Sequence, residues 1–241
     1  PGLNMGAPDV IAEGLRLPPS KWNWHEDWNG GRLEQLMRLN GRVPDLFIGD
    51  LNAQFAANAI AEARLQQLSA KYGTAKVTAA MSELLDYSER RVRAGILAAP
   101  DGVYHGEAAM DDDGVGDQPV WLRCTVTIKG DALTVDFAGT DAQVATNVNC
   151  PFASTLAAAL SCVKSVLTAP DIPFNEGLKR PITVTAPYGS ILNPRPPAPV
   201  RARLLPAYRA YNAVMAALAQ AVPEQVIAPG FDHQLLPLAS G

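Results

Sequence analysis

At 241 residues, with 48% hydrophobic and 18% charged residues, the chain has the size and composition of one large globular domain or two small ones, which excludes disorder of the whole. Its formal net charge of −4 and its dispersed Lys and Arg exclude nucleic acid as a main partner, because phosphate recognition needs clustered cations. Cys124, Cys150 and Cys162 lie far apart without C-x-x-C spacing, which reads as buried free thiols in a reducing compartment rather than disulfides or a zinc knuckle.

The start, PGLNMGAPDV, lacks the basic and apolar pattern of a leader, and no apolar run approaches the length of a membrane span, so a cytoplasmic location is expected. The chain begins at Pro1 without methionine, which points to a natural N-terminus further upstream. Residues 1–45 carry the breakers Pro18-Pro19 and Asn29-Gly30-Gly31 and predict an irregular Trp/Pro/Gly-rich segment with a short helix near Arg32–Leu39. From Phe47 to Lys71 the apolar residues Ile48, Leu51, Phe55, Ile60, Leu65 and Leu68 recur at helical intervals, and Tyr72-Gly73 supplies a stop. A second helix starts at Thr74, carries Val77, Met81, Leu84, Leu85, Val92 and Ile96, and ends at Pro100-Asp101-Gly102. The simplest packing of residues 46–100 is an antiparallel helical hairpin.

The period then changes to two. Val120, Leu122, Cys124, Val126 and Ile128 alternate with Trp121, Arg123, Thr125 and Thr127, and Lys129-Gly130-Asp131 turns the chain into Leu133–Phe137, an antiparallel β-hairpin. Val103-Tyr104 is a candidate earlier strand of the same sheet. Further along, an Ala-rich helix is expected at Ser154–Leu167, a short strand at Pro181–Ala186 and a last helix at Tyr211–Val222. Helices and strands come in blocks, so the class is α+β, with residues 101–241 as its mixed region.

Candidate functional residues are few. Asp50, followed by Gln54, is either an N-terminal helix cap or a polar group turned to a site from a helix start. Asp136 falls on the strand face opposite Val135 and Phe137. Gly139 allows a backbone angle denied to Thr140, and Asn147 and Asn149 can bond their own loop. These four polar residues, Asp136, Thr140, Asn147 and Asn149, are either loop scaffolding or face a substrate or an interface. His25-Glu26-Asp27 is the one His/carboxylate cluster, but it lacks the i, i+4 spacing of a helical zinc motif, so His25 and Asp27 are metal candidates set against a surface loop held by Trp22, Trp24 and Trp28. Asp111–Gly114 reads as a solvated Asx turn rather than a calcium loop. Glu89 and Arg93 have the spacing of an exposed ion pair, with Arg90 beside them as a residue that could reach a subunit interface, and His105 and His233 read as structural or surface histidines. No G-x-S-x-G elbow, phosphate-cradling G-x-x-x-x-G-K-[ST] loop or G-x-G-x-x-G loop occurs, so no catalytic residue is assigned and any ATP must be bound elsewhere.

Eleven short pieces stand in one order: Gly49-Asp50-Leu-Asn-Ala53-Gln54, Tyr72-Gly73, Ser88-Glu89-Arg90-Arg91, Pro100-Asp101-Gly102-Val-Tyr104, Asp112-Asp113-Gly114, Val135-Asp136-Phe137-Ala-Gly139-Thr140, Asn147-Val-Asn149, Asp171-Ile-Pro173-Phe-Asn175-Glu-Gly177, Arg180-Pro181-Ile, Pro187-Tyr-Gly189-Ser190 and Asn193-Pro194. In that order, and over nearly all of residues 9–228, the chain resembles the hydantoinase B/oxoprolinase family. That family includes B-type hydantoinase subunits, the B half of 5-oxoprolinase and the α-type subunits of acetone and acetophenone carboxylases. The resemblance implies a cytoplasmic hetero-oligomer in which an A-type partner uses ATP and Mg²⁺ to activate an amide or enolate oxygen. It implies a zinc- or manganese-type metal in a segment upstream of Pro1, and a chain that is the middle portion of a longer B-type subunit. Hydrolysis of a cyclic amide such as a hydantoin or 5-oxoproline is the preferred reaction. A ketone carboxylase component and a non-catalytic scaffold module are the alternatives.

Overall fold

A computed structural model of the chain describes residues 6–228. These residues form two compact units: residues 14–83 make the first, and residues 6–13 together with 84–228 make the second. The division falls between Glu83 and Leu84, inside a helix, rather than at the ends of the 46–100 segment.

The first unit opens with a one-turn helix, α1 (Trp24–Asp27), in a stretch whose breakers predict irregular chain. Its ends are tied reciprocally: Asn23 Oδ1 accepts from the His25 N–H at 3.0 Å, and Asp27 Oδ2 accepts from the Asn23 N–H at 2.8 Å. Helix α2 (Arg32–Asn40) matches its expected position. Helix α3 (Pro44–Tyr72) starts three residues before Phe47, because Pro44 is tolerated in a first turn where its missing N–H costs nothing. Asp50 is therefore not a cap; it sits a turn and a half inside α3 and is exposed. A small core joins Trp28, Leu33 and Ile48 with Met37, Leu51 and Phe55, and the Trp28 indole donates to Asn52 Oδ1 at 2.8 Å. Trp28 and Trp24 both meet Phe55 edge-on, at 4.9 and 4.8 Å, and Trp24 stacks on Trp28 at 6.2 Å, whereas Trp22 is half exposed, so Trp24 and Trp28 anchor the segment and Trp22 does not.

Helix α4 (Thr74–Ala98) follows α3 after Gly73 alone. The expected apolar seam between the two helices is not buried: Ile60, Leu65 and Leu68 on α3 and Met81 on α4 remain 43–62% exposed. Alanines fill much of α3 between Ala53 and Ala63, so a seam there would remove little apolar area from water.

The second unit is built on a four-stranded sheet in the order β1 (Gly102–Met110), β2 (Val120–Lys129), β3 (Ala132–Asp136), β4 (Ile182–Thr185). Strands β2 and β3 form the expected hairpin, with Ile128 opposite Leu133 and Lys129 opposite Ala132. Strand β1 extends well beyond Val103-Tyr104 and pairs antiparallel with β2. Strand β4 runs parallel to β3, so the sheet is mixed; the return path through α5 (Phe152–Leu167) and α6 (Glu176–Lys179) is long enough for a crossover. The Asp111–Gly114 segment is the Asx turn joining β1 to β2, with Asp112 Oδ1 accepting from the Gly114 N–H at 2.7 Å.

Alternation along β2 sends Val120, Leu122, Cys124, Val126 and Ile128 into the core, where α5 and α7 (Leu204–Ala221) cover the sheet. Helix α7 begins seven residues before Tyr211, again with proline, Pro206, in its first turn. Gly106 marks the closest approach: a Cβ there would stand 2.0 Å from the Ala213 carbonyl oxygen of α7. Val92 and Ile96 of α4 join the same core. The Glu89–Arg93 pair forms as expected and extends to Arg180, which bridges Asp86 at 2.6 Å and Glu89 at 2.9 Å.

Candidate functional site

The face of the sheet turned away from α5 and α7 is polar and partly open. On it lies a groove of about 420 Å³ lined by His105, Gly106 and Glu107 of β1, Arg123, Cys124 and Thr125 of β2, and Ala138 beyond β3. Cross-strand register puts Glu107 directly opposite Arg123, and His105 opposite Thr125. Glu107 Oε2 lies 3.5 Å from Arg123 Nε, and His105 Nδ1 lies 3.2 Å from Thr125 Oγ1.

The signature segment Asp136–Thr140 builds the frame around Arg123. Asp136 ends β3 with its side chain on the face opposite the fully buried Val135 and Phe137, as the alternation predicts. Its Oδ1 accepts from Thr185 Oγ1 at 2.7 Å and from the Ala138 N–H at 3.2 Å, which ties β3, β4 and the turn together. Gly139 takes a φ of +86°, a region costly for residues with a Cβ. The turn returns Thr140 and Asp141 to the stretch of β2 beyond the end of β3. Thr140 Oγ1 accepts from the Arg123 N–H at 3.1 Å and donates to the Arg123 carbonyl at 3.0 Å. Asp141 does the same for Trp121 through both of its ends: its N–H donates to the Trp121 carbonyl at 2.9 Å, and its Oδ2 accepts from the Trp121 N–H at 2.8 Å. The guanidinium of Arg123 donates to the Gly139 carbonyl at 3.0 Å, lies 3.4 Å from Asp141 Oδ1 and sits over the Trp121 ring at 5.3 Å.

The asparagine loop that follows is buried and inward. Asn149 Oδ1 accepts from the Val144 N–H, and its Nδ2 donates to the carbonyls of Val144, Thr146 and Pro199, all at 2.8–2.9 Å. Asn147 is also fully buried, and its carbonyl accepts from the Ala202 N–H at 2.9 Å. Pro199 and its neighbours are in turn held by Glu13, whose carboxylate accepts from the Val200 and Arg201 N–H groups at 2.7 Å each.

Of the residues singled out from sequence, Asp136 and Thr140 adjoin the groove as parts of its frame. Asn149 braces the next loop through its side chain, and Asn147 contributes its backbone carbonyl. Asp50 and Gln54 stand exposed on α3 in the first unit. Sequence reading missed Arg123 and Glu107 as a pair and dismissed His105; strand register would have placed all three on one face had β1 been extended to Met110. His233 lies outside the described residues.

Burial pushes the Cys124 thiol up to about 12 and the Cys150 thiol up to about 11, and it raises Cys162 as well, so none is a thiolate nucleophile near neutral pH. Among the described residues no group of three or more His, Cys, Asp and Glu could hold a metal ion. His25 and Asp27 do not fit one, since the Asp27 carboxylate is engaged in the reciprocal cap. No helix of the described residues is long and apolar enough to cross a membrane.

Fold and site together define an α+β module whose Asp136–Thr140 turn holds an arginine on an open sheet face rather than presenting a nucleophile. Residues 1–236 match the family model for hydantoinase B/oxoprolinase, and the chain belongs to that family. It is 38% identical over 234 residues to the B-type subunit of a putative D-/L-hydantoinase from Pseudomonas sp. strain NS671, covering 93% of this chain and 39% of that protein. It is 34% identical to the beta subunit of caprolactamase from Pseudomonas jessenii, covering 94% and 39%. The crystal structure of the ATP-dependent caprolactamase from that organism superposes with a TM-score of 0.78 at 32% identity, over 91% of this chain and 38% of that one. A nucleotide-free acetone carboxylase shares the fold, with a TM-score of 0.80 at 16% identity over 94% of this chain and 32% of that one. The chain thus spans about two fifths of the length of the curated relatives it matches.

Proposed function

We propose that the chain serves as the B-type component of an ATP-dependent amidohydrolase that opens a cyclic amide such as a hydantoin or 5-oxoproline. The observation that carries this reading is the 38% identity to a B-type hydantoinase subunit across 93% of the chain, joined by the superposition on an ATP-dependent caprolactamase. The chemistry is consistent with the residues. A ring amide is a poor electrophile until its oxygen is activated, and phosphorylation with Mg²⁺ to spread the charge is a general route to that. In this proposal an A-type partner in a cytoplasmic hetero-oligomer supplies ATP and Mg²⁺, and a zinc- or manganese-type metal is held upstream of Pro1. This chain contributes rigid polar surface rather than a nucleophile.

The test is co-expression with an A-type chain of the family, followed by ATP turnover with hydantoin, 5-oxoproline and caprolactam, and with acetone plus bicarbonate as a separate arm. Turnover stimulated by a cyclic amide is the expected result. Stimulation by acetone and bicarbonate alone would replace the reading with a ketone carboxylase, and a stable complex without any stimulated turnover would leave a scaffold module.

A further inference from the structure

The Arg123–Glu107 pair at the groove has a specific recognition chemistry. The guanidinium is fixed by the Gly139 carbonyl, by Asp141 and by the Trp121 ring, while its own backbone is clasped by Thr140. The Gly139 carbonyl and Asp141 hold one side of the fork, which lowers the side-chain freedom it loses when a ligand binds. One cation between the two carboxylates of Glu107 and Asp141, at 3.5 and 3.4 Å, leaves an excess of negative charge, which favours a neutral ring such as hydantoin over 5-oxoproline, whose carboxylate is ionised at neutral pH. What the pair presents to the groove is a donor edge beside an acceptor edge.

That edge complements a cis-amide, whose carbonyl accepts and whose adjacent N–H donates on the same side. A small ring forces the amide cis, whereas an open-chain secondary amide is trans and points the two groups in opposite directions. The groove, of about 420 Å³, has room for such a ring. We propose that Arg123 and Glu107 form a recognition site for the cis-amide edge of a neutral lactam, cyclic imide or ring ureide, with the Gly139–Asp141 turn as its positioning device. The ligand class rests on the cyclic-amide reading above; the residues and geometry do not.

The test is saturation-transfer NMR of the purified chain with hydantoin and caprolactam, and with N-methylacetamide as the trans-amide control. The two ring amides bind and the control does not. Arg123→Met lowers ring-amide affinity about tenfold, as loss of a charge-assisted hydrogen bond should. Arg123→Lys keeps the charge but not the fork, and lowers it by a similar factor. Equal signals from N-methylacetamide, no signal from either ring amide, or unchanged affinity in both variants with native circular dichroism would overturn the site. In the A-type complex the same variants raise KM and leave kcat within about twofold. Ring-amide binding without turnover in the wild-type complex sinks the hydrolase reading and leaves the site standing. Turnover with KM unchanged in both variants does the reverse.

Discussion

Replacing Asn149 with alanine removes a side chain with no exposed surface whose amide makes four hydrogen bonds to backbone groups of Val144, Thr146 and Pro199. Each backbone group left without a partner costs roughly 1 kcal/mol or more, and water entering the space recovers part, so a loss of about 2–4 kcal/mol is expected. For a chain of this size that corresponds to a fall in Tm of about 4–16 °C. Urea unfolding followed by circular dichroism measures it directly, and hydrogen exchange at the Val144 amide reports whether the loop opens locally. Asn149→Asp is the sharper variant: it keeps the acceptor for Val144 but turns an oxygen toward three carbonyls 2.8–2.9 Å away, so its loss at neutral pH should be at least as large. A stability of Asn149→Ala within about 0.5 kcal/mol of wild type would refute the bracing role. Lost activity at unchanged stability would return Asn149 to the groups that face a substrate.

Three further outcomes follow from the packing and charges. Gly106→Ala places a methyl 2.0 Å from the Ala213 carbonyl and 2.7 Å from the Ala217 nitrogen, both α7 backbone, and should cost about 3 kcal/mol or more; a wild-type Tm would show that β1 and α7 are not in contact there. The three thiols should resist Ellman's reagent in the native chain at pH 8 and react fully in denaturant. Because their folded values lie above the ordinary 9.0, their contribution is intact below pH 9 and is lost as pH rises toward 11–12, so the urea midpoint should fall on that limb. Hydrogen bonds from Arg180 and then Arg93 hold Glu89 below its usual range, so its contribution is present above pH 4.5 and is lost as pH falls through the lower folded value. Glu89→Gln should flatten the acid limb, and an unchanged limb would remove the network from the account.

The parts legible in the sequence are those governed by short-range periodicity. Ten residues of strict alternation in β2, followed by a glycine turn, allow one register, and the β2–β3 hairpin formed in that register. The helices were legible in their middles, where apolar spacing speaks, and less so at their starts: Pro44 and Pro206 interrupt the apolar pattern and are first-turn residues of α3 and α7. Asp50 was misplaced for the same reason, since its capping role depended on a start that lay further upstream.

The chain's own sequence determined its family, through eleven pieces in one order, together with the α+β class and the faces of β2 and β3. Tertiary structure decided what those faces meet. Glu107 and Arg123 are sixteen residues apart and become neighbours only because β1 pairs in one register. Asn149 and Pro199 are fifty apart and meet because α5 and β4 bring the Pro-rich loop back beside the asparagines. The physical reason is that hydrophobic period and turn chemistry act over a few residues, while the partner of a polar side chain is set by register and loop closure over tens.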